Sequence, residues 1–127
     1  MNPDPDNAAD SGHELTVTVR ERPGGVVLAV GGDLDFDNSP RLRSVLVHLP
    51  LAPGALLVLD LAELTFFDST GITMLIIARK VAMAAGADIV VSGIGPMVGK
   101  IFRITGLDGV FRAYPDPDAA FAAGAHN

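Results

Sequence analysis

The 127-residue chain contains no cysteine, and it is poor in aromatic residues, with six phenylalanines, one tyrosine and no tryptophan. Without cysteine, neither a disulfide framework nor a thiolate metal site is possible. This absence is compatible with a reducing compartment. Residues 1–11 also lack the basic stretch and following apolar run that mark a secretory signal peptide. We therefore expect a cytoplasmic protein.

Long apolar runs are absent as well. The longest uncharged stretch, 44–59, is interrupted by Pro50 and Pro53 and is too short to span a bilayer, which takes about 20 apolar residues. The chain is nevertheless 49% apolar, so at this length we expect one domain with a substantial core. The sequence predicts a soluble protein without membrane insertion.

No segment concentrates positive charge. The chain has a net charge of -6, but the region 13–115 holds ten acidic and nine basic residues, so most of the negative excess lies in the two ends. A protein that binds nucleic acid needs a basic face to neutralise phosphates, and here the basic residues are scattered. Nucleic acid is therefore not an expected partner.

Apolar periodicity predicts alternating strands and helices. Strands are expected at 15–19, 26–30, 56–61, 89–91 and 110–114, and helices at 39–49, 69–85, 97–105 and 118–123. Ser39 is expected to cap the first helix, and Gly106 is expected to end the third. The segments 31–39 and 63–68 are predicted to be loops.

This order of elements predicts an α/β fold with a small mixed sheet of about five strands and three to four helices. The first two strands form an antiparallel hairpin, and two strand–helix–strand crossovers make the central strands parallel. We expect a flexible acidic leader over 1–12, one domain over 13–115 and a C-terminal helix or tail over 116–127.

The most distinctive local feature is the run Phe66-Phe67-Asp68-Ser69-Thr70-Gly71, which precedes and opens the second predicted helix. In a purely structural interpretation Asp68 or Ser69 caps the helix, both phenylalanines belong to the core and Gly71 permits close packing. In a functional interpretation the Ser69 and Thr70 hydroxyls lie where free N–H groups and the helix dipole stabilise a phosphate. Local chemistry alone favours the structural interpretation.

Several segments, in order along the chain, resemble the STAS domain of anti-sigma factor antagonists. Residues 58–61 followed by 67–71 are similar to the signature of that family, and 32–35 resembles its Gly-Glu-Leu-Asp loop. Residues 89–91 match the strand before its third helix, and 101–107 resembles that helix and its terminal Gly-Leu turn. The resemblance covers 13–115 and implies a STAS-like α/β fold.

The resemblance also implies a phosphorylation switch at Ser69, which matches the phosphoacceptor serine of the family. There the unphosphorylated antagonist binds an anti-sigma factor that is a serine kinase with an ATP-binding fold, and this frees a sigma factor for transcription. Phosphorylation breaks the complex, and a metal-dependent serine/threonine phosphatase restores it. Neither a cofactor nor an enzymatic activity is expected for the antagonist itself.

The residues expected to bind the partner lie in two segments. They are Asp33, Asp35, Asp68, Ser69, Thr70 and Gly71. Asp33 stands where the family commonly has glutamate, and Phe36, Asp37 and Asn38 are expected to join the same surface.

Other segments do not match the patterns of known nucleotide-binding or metal-binding sites. The loop and helix start at 93–100 lack the Walker pattern, because Ile94 and Ile101 stand where glycine and Ser/Thr are needed. The dinucleotide pattern fails at Val98. The three histidines, His13, His48 and His126, do not have metal-ligand spacing.

The rival functions are a subunit bound to a membrane transport ATPase, a stress-sensing scaffold and an enzyme. The enzyme is the weakest of these, because no paired acid and base are visible.

Overall fold

The computed structural model describes residues 14–124, so the leader predicted over 1–12 lies outside the described residues. The strands are β1 (Thr16–Arg22), β2 (Gly25–Leu34), β3 (Leu56–Asp60), β4 (Leu64–Phe67), β5 (Asp88–Ser92) and β6 (Ala113–Tyr114). The helices are α1 (Ser39–Val47), α2 (Ser69–Ala84), α3 (Pro96–Thr105) and α4 (Pro117–Gly124), and Leu107–Gly109 forms a 3-10 turn.

The strands of residues 14–124 build a mixed sheet with the order β1-β2-β3-β5-β6. β1 and β2 pair antiparallel, whereas β2, β3, β5 and β6 run parallel to one another. β4 pairs in parallel with the last residues of β2, away from this main path. The predicted α/β class, the opening hairpin and the parallel central strands are therefore confirmed.

The two faces of the sheet are covered unequally. On one face, α1, α2 and α3 enclose the larger core, which contains side chains such as Leu28, Leu59, Met74 and Phe102. On the other face, a smaller cluster of strand residues packs against Ala120 of α4. Apolar residues thus alternate between two cores along β2, β3 and β5, as expected for strands buried on both sides.

Helix α4 is attached to the sheet by a charged contact. Arg22 at the end of β1 donates from Nη1 to Oδ1 of Asp118 at 2.7 Å, and its guanidinium carbon lies 4.6 Å from the ring centre of Phe121. A cation over an aromatic face adds to the ion pair and the apolar packing. The C-terminal helix is therefore docked on the sheet.

The prediction of a loop over 63–68 is wrong, because Leu64–Phe67 forms β4. Leu64 and Phe67 are buried while the two residues between them are exposed, so the strand lacks the period-2 pattern that reveals a strand in sequence. The loop predicted over 31–39 is also shorter than expected, because β2 continues to Leu34 by pairing with β4.

Two further predictions need correction. The strand expected at 110–114 is reduced to Ala113–Tyr114, since the N–H groups of Val110 and Phe111 donate to the carbonyl of Leu107 and turn the chain. Ser39 is the first residue of α1, after Asn38 at the cap position, and its hydroxyl donates to the carbonyl of Phe36 at 3.3 Å.

Gly106 ends α3 as predicted, with a φ of 80° that glycine adopts without steric cost. None of the helices in the described part of the chain combines the length and apolarity that crossing a bilayer takes.

Candidate functional site

Helix α2 begins at Ser69 and is capped by Asp68. The Asp68 backbone is extended, and its Oδ1 accepts from the N–H of Thr70 at 2.9 Å and of Gly71 at 3.3 Å. The carbonyl of Asp68 accepts the next helical N–H, from Ile72, at 3.2 Å. Of the two residues predicted as caps, Asp68 is therefore the cap, and its carboxylate already accepts from two N–H groups that a bound phosphate was expected to use.

The Ser69 side chain is exposed on the first turn of α2. Its carbonyl accepts a hydrogen bond from Oγ1 of Thr73 at 3.1 Å, whereas its hydroxyl makes no hydrogen bond within residues 14–124. Thr70 is half-buried. Of the two neighbouring hydroxyls, that of Ser69 is the more accessible to an enzyme.

Gly71 lets the first turn of α2 lie directly on the core. A Cβ at this position would come within 2.7 Å of the Cβ of Phe67, closer than real Cβ contacts. Phe67 is buried and packs edge-on against Phe102 of α3, with ring centres 6.5 Å apart. Ser69 is thus held on a rigid element, and the predicted packing role of Gly71 is confirmed.

The pairing of β4 with β2 brings the two predicted binding segments together. Leu34 lies opposite Phe67, and the N–H of Asp68 donates to the carbonyl of Leu34 at 3.4 Å. Both strands end at this pair of residues: β2 leads into the 35–38 loop, and β4 leads through Asp68 to Ser69. A contact between segments more than 30 residues apart therefore forms the candidate surface.

The 35–38 loop is fixed by its own side chains. The N–H of Asp35 donates to Oδ1 of Asn38 at 2.9 Å, and the N–H of Asn38 donates to Oδ1 of Asp35 at 3.1 Å. The amide of Asn38 also donates to the carbonyl of Asp33 at 2.8 Å. Asp35 therefore shapes the loop, and the loop presents a defined surface without a partner.

Asp33 links the same loop to β4. It is half-buried near the end of β2, and its Oδ1 accepts from the hydroxyl of Thr65 at 2.8 Å. A register shift between Gly32 and Asp33 precedes this contact. The carboxylates of Asp33, Asp35 and Asp68 all accept hydrogen bonds from the protein itself, so each contributes to the shape of the surface.

Two exposed phenylalanines lie on these segments. Phe36, on the loop, is 75% exposed, and Phe66, on β4, is 48% exposed. The expectation that Phe66 belongs to the core is therefore wrong, although it is correct for Phe67. No local signal in the sequence distinguishes Phe66 from Phe67, because β4 lacks the period-2 pattern that marks a half-buried strand. We call Asp33, residues 35–38, Phe66 and residues 68–70 the switch surface.

The loop that contains Gly93 and the histidine His48 have structural roles in the described residues. Gly93 has a φ of 71°, and a Cβ there would lie 2.9 Å from the Cβ of Ala62, so this glycine is needed for close packing. The Nδ1 atom of His48 lies 2.8 Å from the carbonyl oxygen of Ser44, and His13 and His126 lie outside the described residues. Over residues 14–124, acidic and histidine side chains form no group of three that could hold a metal ion.

Comparison with known proteins agrees with this geometry. The model of the STAS domain matches residues 16–120. An anti-sigma-B factor antagonist of Listeria monocytogenes is 26% identical over 97 residues, which cover 76% of this chain and 85% of the relative. The protein of the same name from Staphylococcus epidermidis is 31% identical over 78 residues, covering 61% of this chain and 72% of the relative.

A solved structure supports the same assignment. The crystal structure of an anti-sigma factor antagonist from Mycobacterium paratuberculosis superposes with a TM-score of 0.70 at 28% identity, covering 89% of this chain and 96% of that protein. With the family match across most of its length, the chain belongs to the STAS-domain family of anti-sigma factor antagonists.

Proposed function

We propose that this chain is a cytoplasmic anti-sigma factor antagonist whose binding is controlled by phosphorylation of Ser69. Unmodified, it binds an anti-sigma factor that is also a serine kinase, and the sigma factor is released for transcription. The observation that carries the proposal is the placement beside the 35–38 loop of an exposed Ser69 hydroxyl, which has no hydrogen-bond partner among residues 14–124. The names of the relatives in Listeria and Staphylococcus support an anti-sigma factor as the partner.

The unmodified surface is suited to a protein partner. Phe36 and Phe66 supply exposed aromatic area, and aromatic residues are enriched among those that dominate binding energy. Asp33, Asp35 and Asp68 surround them with negative charge that would steer a partner of opposite charge. Because internal hydrogen bonds already fix the loop and the helix start, little ordering entropy is lost on binding.

A phosphate on Ser69 would change the charge of this surface without changing the fold. It adds about -1.5 to -2 charges at pH 7. Neither segment of the switch surface contains a lysine or arginine to pair with it. Asp68 is adjacent, and its carboxylate already holds the N–H groups of Thr70 and Gly71. The phosphate would therefore be repelled or desolvated at an interface, which costs about 2–5 kcal/mol.

A cycle needs a second enzyme to remove the phosphate. An exposed position on the first turn of α2 is open to a metal-dependent serine/threonine phosphatase as well as to the kinase. The antagonist itself performs no chemistry in this scheme, and it acts by binding and release.

The experiment is incubation of the full chain with ATP and the kinase-type anti-sigma factor of the same organism, followed by mapping of the phosphate by mass spectrometry. We expect one phosphate on Ser69, none in the Ser69→Ala variant and an unchanged level in the Thr73→Ala control. An unmodified Ser69 under conditions where the two proteins form a complex would contradict the switch. It would favour the constitutive binding expected of a transport-ATPase subunit or a scaffold.

A further inference from the structure

A second surface feature lies at the opposite end of α2 from Ser69. It is a groove of about 270 Å³ between the end of α2, the start of β5 and the segment that precedes β6. Arg79 and Met83 are four residues apart and face the groove from α2, and at a rise of 1.5 Å per residue they lie about 15 and about 21 Å along the helix from Ser69. We call it the arginine groove, and its other lining residues are Ala87, Asp88, Ile89, Val110 and Arg112.

The walls of the arginine groove expose apolar side chains. Met83 is 58% exposed and Val110 is 44% exposed. Both are large apolar residues that would gain about 25 cal/mol for each square ångström covered by a ligand. The groove is therefore suited to a ligand with an apolar part.

The same groove carries excess positive charge. Arg79 is half-buried and Arg112 is exposed, and over residues 14–124 neither guanidinium forms an ion pair or a hydrogen bond. Asp88 is the one acidic residue at the groove, so two positive charges face one negative charge. Guanidinium groups bind carboxylates in a directional manner with two hydrogen bonds.

The third feature is an open strand edge. Val91 and Gly93 donate from their N–H groups to the carbonyls of Arg112 and Tyr114, at 2.9 and 3.0 Å. Strand alternation directs the N–H and C=O of Ile89 to this same edge. Because Val110 and Phe111 turn toward Leu107, no backbone hydrogen bond in the described part of the chain joins Ile89 to residues 110–112.

We propose that the arginine groove binds an extended acidic peptide segment of a partner protein. The peptide main chain would exchange hydrogen bonds with Ile89, as in recognition by strand addition. A carboxylate of the peptide would pair with Arg79 and Arg112, and an adjacent apolar side chain would cover Met83 and Val110. The groove is distant from the switch surface, so this proposal does not depend on phosphorylation of Ser69.

The test is a titration of the isotope-labelled full chain with the peptide acetyl-Val-Asp-Val-Asp-Val-amide, followed by backbone amide NMR shifts. We expect saturable shifts at Ile89, Val110 and Arg112. The Arg79→Gln, Arg112→Gln double variant should bind at least tenfold more weakly, whereas Arg43→Gln, which removes an exposed guanidinium from α1, should bind unchanged. Thermal unfolding of each variant confirms that the fold is retained.

Three further arms decide whether the ligand is an acidic peptide. The same peptide with asparagine in place of both aspartates, and one with an N-methylated central valine, should bind several-fold more weakly. Equal binding of the asparagine peptide would overturn the charge assignment. Absence of shifts at millimolar peptide, shifts confined to residues 35–38 and 68–70, or equally tight binding of acetate or inorganic phosphate would each overturn the proposal.

Discussion

The two ends of α2 differ in almost every property that governs recognition. At its start the helix is capped by the acidic residue Asp68 and lies next to a loop that its own hydrogen bonds hold in place. At its last turns it borders an open groove with exposed apolar side chains and two guanidiniums that have no ion-pair partner among residues 14–124. One helix thus connects the proposed phosphorylation site to a groove with an excess of positive charge. We therefore expect that the two ends can be altered independently.

The largest effect on stability is expected from Gly71→Ala at the first turn. The added Cβ would meet Phe67 at 2.7 Å, and overpacking of this kind lowers the free energy of unfolding by about 1–3 kcal/mol. Gly99→Ala in α3 is the matched control, because its Cβ has its nearest neighbour, the flexible end of Arg103, at 3.6 Å. That control should gain up to about 1 kcal/mol from helix propensity. Urea unfolding of both variants distinguishes packing from propensity, and equal changes would show that Gly71 has no packing role.

Phe36→Ala should weaken binding of the anti-sigma factor about tenfold, which is about 1.4 kcal/mol. The residue is 75% exposed, so the free energy of unfolding should change by less than about 0.5 kcal/mol. Calorimetric titration gives the affinity, and Val47→Ala, at a position on α1 that is 60% exposed, is the control. Unchanged affinity of the Phe36→Ala variant would remove the loop from the interface.

Substitutions at Asp68 separate its capping role from its charge. Asp68→Ala removes the acceptor for the N–H groups of Thr70 and Gly71 and should lower the free energy of unfolding by about 1 kcal/mol. Asp68→Asn keeps a side-chain oxygen that can cap the helix, so it should retain most of the stability that the cap provides. If the charge of Asp68 contributes to repulsion, the phosphorylated Asp68→Asn protein should regain part of its affinity for the anti-sigma factor. Equal unfolding energies for the Ala and Asn variants would contradict the capping role.

The smallest effect is expected at the far end of the helix. Met83→Gln replaces a side chain that is 58% exposed, so stability should change by less than about 0.5 kcal/mol and binding at the switch surface should be unchanged. Parallel titrations of the anti-sigma factor and the acidic peptide check this. Loss of anti-sigma factor binding would show that the two ends of α2 belong to one interface.

The sequence predicted those elements whose periodicity is strong and local. The hairpin, the helix over 69–85 and a cap at Asp68 or Ser69 followed from alternation, apolar content and capping chemistry. β4 could not be predicted because four residues with two buried ends show no alternation, and its pairing depends on residues some 30 positions earlier. The exposure of Phe66 was missed for the same reason.

The candidate site was predictable only in part. Ser69 and the acidic residues came from the family resemblance, and β2–β4 pairing explains why the two segments meet. The arginine groove has no local signal, because α2, β5 and the turn at Val110 each contribute only part of it. Sites of this kind are assembled by tertiary structure.

The most direct test of the central claim is calorimetric titration of the kinase-type anti-sigma factor with two preparations of this chain, one unmodified and one phosphorylated on Ser69. We predict that phosphorylation weakens binding at least a hundredfold, or about 2.7 kcal/mol, while the far-ultraviolet circular dichroism of the free chain is unchanged. Equal affinity of the two preparations would contradict the phosphorylation switch.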